Sequence, residues 1–593
     1  MIFGKHINKY YLKYSLILLI GLAALVAVDW YQLEVPEIYN LVVNGMNDGF
    51  VEQNGQTVPF DLDFLLDSVC RPMITIILAM VAGRFLWRIC FFGSAILVET
   101  DIRKKMFDRA KDLSQEYYQR NKVGGLMSLF INDLETVQDC FGSGVLMFFD
   151  AAFLGGLSIV KMWRMNSILT MLSLVPVVIL LVVGLVVGTT ITKKWARRQE
   201  AFSSLSDFAQ ESFSGIAVVK AFVKETKELM AFRKLNRENE DANVDFVKTS
   251  TLLHILVTLF VESVICVILG YGGYLVYTGV FNAGDMFEFI GYFTAIVWPA
   301  MAVSQLIEMG SRGKASLNRI SELIDAEITV ADREGVRALE DVKGEIEFKN
   351  LTFRYPDAEY DALENVSFKI EAGEHVGIVG ATGCGKTTLV DLILRTYNVP
   401  DGALFIDGND VNDVTIKSVR SAAAYVPQDN FLYSDTIENN IAFSLNAEGL
   451  DDEDAKAVVD AAILADVDEN IRGLSLGYKT VLGERGVTVS GGQKQRISIA
   501  RALLADAPIL ILDDSVSAVD TKTEEVILRN LKESRENKTT LLIAHRISTV
   551  EGMDKIVFID DGKIVDVGAH NALYERCPAY KRAVDLQKLE EEV

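Results

Sequence analysis

The sequence predicts an α-helical membrane domain, with six spans and long cytoplasmic extensions, followed by an α/β nucleotide-binding domain of the P-loop type. Three observations carry this. Half of the 593 residues are apolar, and the long uncharged runs fall in the first half of the chain. Gly380, Gly385, Lys386 and Thr387 stand in the spacing GxxxxGK[ST] of a phosphate-binding loop. An apolar run, ILIL, stops abruptly at two carboxylates, Asp513 and Asp514.

Six apolar stretches are long enough to cross a hydrocarbon core of about 30 Å. They lie near 14–35, 72–98, 141–161, 167–191, 251–277 and 286–308. Asp29 and Trp30 follow the first run with no small-residue cleavage site, so it reads as a span and not as a cleaved leader. Dense cations, among them Arg103, Lys104, Lys105, Lys193, Lys194, Arg197 and Arg198, mark the segments after the second and fourth spans. Pro36 to Cys70 contains no Lys or Arg. The positive-inside bias then places the N-terminus, the basic segments and the C-terminal domain on the cytoplasmic side of a cell membrane.

The segments between spans two and three and between spans four and five are rich in helix formers. As helical hairpins they project roughly 30 Å or more beyond the bilayer. In ESFSGIAVVKAFVKETKELMAF (211–232) helical spacing is interrupted at Ser214–Gly215, which reads as a tip pressing on the cytoplasmic domain. The membrane domain is expected over 1–310, a polar linker over 311–343 and the nucleotide-binding domain over 344–593, opening on the alternating strand GEIEFKNLTFRYP.

The net charge of −23 argues against a nucleic-acid partner, which selects basic surfaces. Cys70, Cys90, Cys140, Cys266, Cys384 and Cys577 show no paired metal spacing and read as free thiols.

GIVGATGCGKTTLVDLIL (377–394) sets the phosphate loop between an apolar strand and a helical pattern. In that context the backbone of Gly380, Ala381, Thr382, Gly383, Cys384 and Gly385 closes around phosphates. Lys386 offers a cation to the β- and γ-phosphates, and Thr387 and Thr388 follow, with the Thr387 hydroxyl directed to Mg²⁺. At the end of ILIL, Asp513 is placed to hold Mg²⁺ through water and Asp514 to meet the attacking water.

VSGGQKQR (489–496), just ahead of ISIARALLADAPILILDD, strongly resembles the signature of the ATP-binding cassette (ABC) superfamily. With six spans in front of it, nearly the whole chain looks like a half-size ABC exporter. The resemblance implies roles at matching positions. Tyr355 stacks on adenine, Gln428 reaches the metal and the attacking water, and the segment GERG (483–486) touches the coupling helices. Asp520 signals across a dimer, and His545 contacts the γ-phosphate. It also implies that two cassettes close head to tail over each ATP, so that Ser490, Gly491, Gly492 and Gln493 of one chain complete the phosphate loop of another. One chain alone does not make a site.

The family's usual residue after the magnesium aspartate is Glu, and here it is Asp514. The missing methylene withdraws the carboxylate by roughly 1.5 Å, while a base works within about 3 Å of its proton. Misplacement on that scale costs on the order of a hundredfold. The departure resembles the degenerate-site subunit of heterodimeric bacterial multidrug exporters, whose partner carries Glu at this position. A homodimer with two Asp sites is the alternative, and an ATP-gated channel or regulator on the same fold is a third reading. Arg84, Arg88, Asp150, Glu262 and Glu288 are the charged residues expected within the spans. The expected cargo is small and amphipathic or hydrophobic, whether drug, lipid or peptide.

Overall fold

The computed structural model describes residues 3–53, 56–445, 449–483, 486, 488–517 and 519–591. The chain divides into two compact units. One comprises Met1–Lys111 and Val123–Ala326, and the other Asp112–Lys122 and Glu327–Val593.

The first unit is built of long helices: Ser15–Asp48, Arg71–Asp112, Leu134–Met165, Ser167–Ser214, Glu225–Tyr277 and Ala283–Asp325. Among the described residues, five helical stretches have the length and apolarity to cross a membrane. The span expected at 167–191 lies on Ser167–Ser214, and several of its side chains fall outside the described residues. Polar caps set the helix ends. Asn166 accepts from the Leu169 amide to open one helix, Asn282 and Asp285 form a capping box on another, and Gly49 closes the first in a left-handed conformation.

Two stretches run further as helix than the sequence predicts. The first helix continues through Pro36 to Asp48. Pro36 packs where Gly291 leaves room, since a Cβ on Gly291 would meet Pro36 Cγ at 2.7 Å. The polar stretch after 310, expected as linker, is helical to Asp325. Its charges lie on one face, while Leu317, Ile320, Leu323 and Ile324 are buried. Ser316 donates to the buried Asp133 at 2.6 Å and Arg319 pairs with the same carboxylate, which pins the extension to its neighbour.

The second unit contains a six-stranded sheet. In spatial order its strands are Lys563–Gly568, Lys555–Asp560, His375–Gly380, Thr539–Ala544, Ile509–Asp513 and Ala423–Val426. All neighbours run parallel except the first pair. Leu510, Leu512 and Leu542 face one apolar core while Ile509, Ile511 and Ile543 face the other. Burial on both faces explains why ILIL reads as a continuous apolar run instead of an alternating one. A four-stranded antiparallel sheet, Leu363–Ile370, Ile346–Phe353, Leu404–Ile406 and Asn409–Asp410, completes the unit.

The segment that clusters with the nucleotide-binding part is Asp112–Lys122, and it carries the short helix Gln115–Arg120. Arg120 forks onto Asp357, Nε to Oδ2 at 2.7 Å and Nη2 to Oδ1 at 2.9 Å, and Ser114 bonds Thr329 at 2.7 Å. The stretch 211–232 belongs to the helical unit instead. There the helix ends at Ser214, a short helix Ile216–Ala221 follows, and Phe213, Val218, Phe222 and Val223 are exposed.

Candidate functional site

The parallel sheet gathers distant stretches along one edge. Strands His375–Gly380, Thr539–Ala544, Ile509–Asp513 and Ala423–Val426 are successive neighbours in register, with Ala544 beside Val379, Ile543 beside Asp513 and Val426 beside Leu512. Their C-terminal ends therefore deliver the phosphate loop, His545, the Asp513–Asp514 pair and the segment holding Gln428. Open α/β sheets bind ligands in the crevice outside those ends.

The loop's shape depends on its glycines. A Cβ on Gly380 would collide with the carbonyl of Ile559 and meet Cys384 Sγ at 2.7 Å, and Gly385 has φ +103° where the helix Lys386–Ile393 begins. Ala381, Thr382 and Gly383 are exposed at the turn, while Cys384 is buried beneath it and burial raises its thiol pKa. Lys386 is buried, and its Nζ donates to the carbonyls of Gly380 and Ala381 at 2.9 Å each. The ammonium is thus held inside the loop that would receive phosphate.

Asp513 is almost wholly buried, and its Oδ2 has no hydrogen-bond partner among the described residues. Burial pushes its carboxyl above the usual carboxylate range, with Asp514 adding to the shift and Thr387, Lys386 and Tyr425 opposing it. A buried, unpartnered carboxylate oxygen beside the Thr387 hydroxyl fits a hard cation that takes oxygen ligands, so the residues present fit Mg²⁺.

Asp514 is half-buried, and its backbone lies in the left-handed region at φ 47°, a conformation Asp adopts more readily than most side chains. Its amide donates to the Ile543 carbonyl at 2.9 Å. Its own carbonyl accepts from Gln495 Nε2 at 3.1 Å and Ser517 Oγ at 2.9 Å. His545 is half-buried at the end of its strand, and Gln428 is exposed.

Other expected residues have partners of their own. The Tyr355 ring packs edge-on against Phe353 and Tyr397, with its hydroxyl 3.0 Å from Thr388 Oγ1 and 3.4 Å from Asp391 Oδ2. Ser490 and Gln493 form a reciprocal capping box at the start of helix Gly491–Leu504. The Ser490 amide donates to Gln493 Oε1 at 2.9 Å, and the Gln493 amide to Ser490 Oγ at 3.3 Å. Gly491 and Gly492 form the first turn, where amides point outward with the positive end of the helix dipole. Asp520 caps helix Thr521–Ser534 by accepting from the Thr523 amide at 3.1 Å. Of GERG, Glu484 and Arg485 lie outside the described residues. The sheet edge thus brings the phosphate loop, Asp513, Asp514, His545 and the Gln428 segment together, and the signature turn and Asp520 open helices of their own.

Sequence reasoning missed several neighbours. Asp391 sits on the phosphate-loop helix beneath Tyr355, and burial, with help from Asp513, pushes its carboxyl up to about 6. An acid within the apolar helix TTLVDLIL was its only signal. Tyr397 is buried against Tyr355 and beside the Asp112–Lys122 segment, and its hydroxyl has no hydrogen-bond partner among the described residues. Gln587, on the last helix Pro578–Glu591, bonds the backbone on both sides of Arg546, and nothing local announces it.

Comparison with known proteins places the molecule. Residues 18–300 match the family described as ABC transporter transmembrane region, and residues 363–517 match ABC transporter. The probable multidrug resistance ABC transporter ATP-binding/permease protein YheI of Bacillus subtilis is 32% identical over 99% of this chain and 97% of its own. The multidrug resistance-like ATP-binding protein MdlA of Escherichia coli is 32% identical over 96% of this chain and 94% of its own. A solved structure of a bacterial Atm1-family ABC exporter with ATP bound superimposes with a TM-score of 0.76 at 27% identity, covering 98% of each chain.

Proposed function

Because the chain belongs to the ABC transporter family, its membrane and ATP-binding parts fused in one polypeptide, we propose that it works as one half of a heterodimeric exporter whose own ATP site hydrolyses slowly. The coarse activity is ATP-driven export by a multi-pass membrane protein. The cargo class proposed is a small amphipathic or hydrophobic molecule, drug, lipid or peptide. The multidrug names of the YheI and MdlA relatives support that class.

The observation that carries the slow-site reading is Asp514. Its backbone is anchored to Ile543 and Gln495, so the side chain has little freedom to advance by the missing methylene. The phosphate loop and Asp513 are intact, which supports retained ATP binding. Bound Mg²⁺ would neutralise charge on the phosphates. Asp513 and Thr387 would hold it, Lys386 would turn from the Gly380 and Ala381 carbonyls to phosphate oxygens, and Asp514 would orient water without reaching it well.

The signature turn points to the partner. Ser490, Gly491, Gly492 and Gln493 keep a capped helix start able to meet phosphate. On this reading they complete a fast site whose loop and Glu belong to a homologous, non-identical chain. The exposed apolar tip around Phe213, Val218 and Phe222 supports a partner surface as well. Within the cassette unit, the Arg120–Asp357 pair and the packing of Tyr397 on Tyr355 support a route by which nucleotide binding at Tyr355 moves the Asp112–Lys122 segment.

The test of export is accumulation of an amphipathic dye in inverted vesicles carrying this chain and its partner. ATP-dependent uptake against a gradient is the expected result, and flux that persists with a non-hydrolysable nucleotide would point to a channel instead.

A further inference from the structure

A short helix, Asn8–Lys13, precedes the first spanning helix and lies against the cytoplasmic extension of the second. Lys9, Lys13, Lys104 and Lys105 line one cleft there, with Tyr10, Asp101 and Asp108. Tyr10 is buried, and its ring carries three ammonium groups: Lys9 at 5.0 Å, Lys105 at 5.2 Å and Lys13 at 5.8 Å from the centroid. Lys13 is engaged by Asp101 at 2.5 Å. Four cations thus face two carboxylates, one of them already occupied. Lys9 and Lys105 both sit over that ring, and burial together with Lys9 pulls the Lys105 ammonium down to about 8.

Such a cluster holds more positive charge than its own side chains balance, gathered about the buried ring. Its position restricts what can supply the missing anion. Leu12 and Leu16, on the same stretch of chain, are 79% and 70% exposed, and Leu19 and Ile20 continue the apolar surface into the span. Apolar side chains beside lysines at a span's cytoplasmic end place the cleft at headgroup depth.

We propose that Lys9, Lys13, Lys104 and Lys105 form a binding site for the phosphate headgroup of an anionic phospholipid at the cytoplasmic surface of the bilayer. The headgroup phosphate takes the Lys9 and Lys105 ammonium groups, and the acyl chains lie along Leu12 and Leu16. Nucleotide phosphate is handled elsewhere, at the loop around Lys386, so the two sites are independent.

The test is native mass spectrometry of the purified full chain titrated with dioleoylphosphatidylglycerol or dioleoylphosphatidylcholine. Wild type retains phosphatidylglycerol preferentially. The double variant Lys9→Gln/Lys105→Gln loses one retained lipid, with affinity lowered on the order of tenfold or more, as expected for about 1 kcal/mol per lysine near an anionic surface. Lys9→Arg/Lys105→Arg keeps it. If the double Gln variant fails to fold, the exposed Lys104→Glu serves, with retention reduced several-fold. Equal retention of the zwitterionic lipid, unchanged binding by the Gln and Glu variants, or displacement of the lipid by inorganic phosphate alone would each overturn the proposal.

Discussion

Gln587 bonds the backbone next to His545 from a helix 42 positions further along the chain: its Nε2 donates to the His545 carbonyl at 2.7 Å, and its Oε1 accepts from the Ile547 amide at 2.8 Å. One side-chain amide therefore fixes the peptide on both sides of Arg546. A histidine meant to meet a phosphate gains from such fixing, because catalytic groups lose rate steeply when displaced by an ångström.

Gln587→Ala is expected to lower the slow ATP turnover of the purified chain alone about tenfold while leaving nucleotide affinity within about twofold. Gln587→Glu keeps the acceptor for Ile547 and loses the donor to His545, so its kcat should fall between the two. A purely structural role would show as lost stability, with kcat per folded molecule unchanged. Steady-state kinetics with a parallel nucleotide titration separates these.

Asp391 gives a pH dependence. Its carboxyl is raised from 3.8 to about 6 in the folded chain by burial. At the lowest pH both folded and unfolded chains hold this proton. Between about pH 4 and pH 6 only the folded chain does, so stability falls as pH rises and levels off above about 6. The shift corresponds to a loss of at most about 3 kcal/mol at neutral pH. Asp391→Asn should therefore raise the melting temperature of the cassette at pH 7 and change it little near pH 4. Tyr355 keeps a partner in that variant, because an Asn oxygen accepts as well. Melting curves across pH check both arms, and an equal gain at every pH would show that the charge is irrelevant.

Arg120 and Asp357 form a two-pronged pair in which both side chains are largely exposed. Exposed pairs add no more than about 1 kcal/mol to stability. Arg120→Glu should therefore leave melting nearly unchanged while lowering dye transport per ATP hydrolysed several-fold. The exchange Arg120→Glu with Asp357→Arg should restore coupling in part. Paired transport and ATPase measurements on the same vesicles read this directly.

The site was legible in the sequence where its chemistry is local. The loop from Gly380 to Thr387 needs residues at fixed spacing because successive amides must converge, and ILILDD reads as a buried parallel strand because both its faces are covered. The signature VSGGQKQR likewise announces itself from its residues, while its capping box shows only in the structure. Helix ends were less legible. The first span is expected to end near 35, yet its helix passes through Pro36 beside Gly291, and the polar stretch after 310 is held helical by Asp133, far away in sequence. The choice of Asp112–Lys122 as the segment packed within the cassette unit depends on Asp357, Tyr397 and Thr329, none of which its own residues reveal. Gln587 and Asp391 belong to the same class, since their partners are set by tertiary packing.

Asp514 bears the central claim, that this chain binds ATP but needs a different chain for rapid hydrolysis. The direct measurement is ATPase activity of the purified chain alone, compared with Asp514→Glu and Asp514→Asn, with nucleotide binding measured in parallel. Slow turnover with intact binding, raised on the order of tenfold to a hundredfold by Asp514→Glu and little changed by Asp514→Asn, is the predicted result. Robust turnover from the chain alone, abolished by Asp514→Asn, would contradict it and identify a homodimer in which the shorter carboxylate serves as the base.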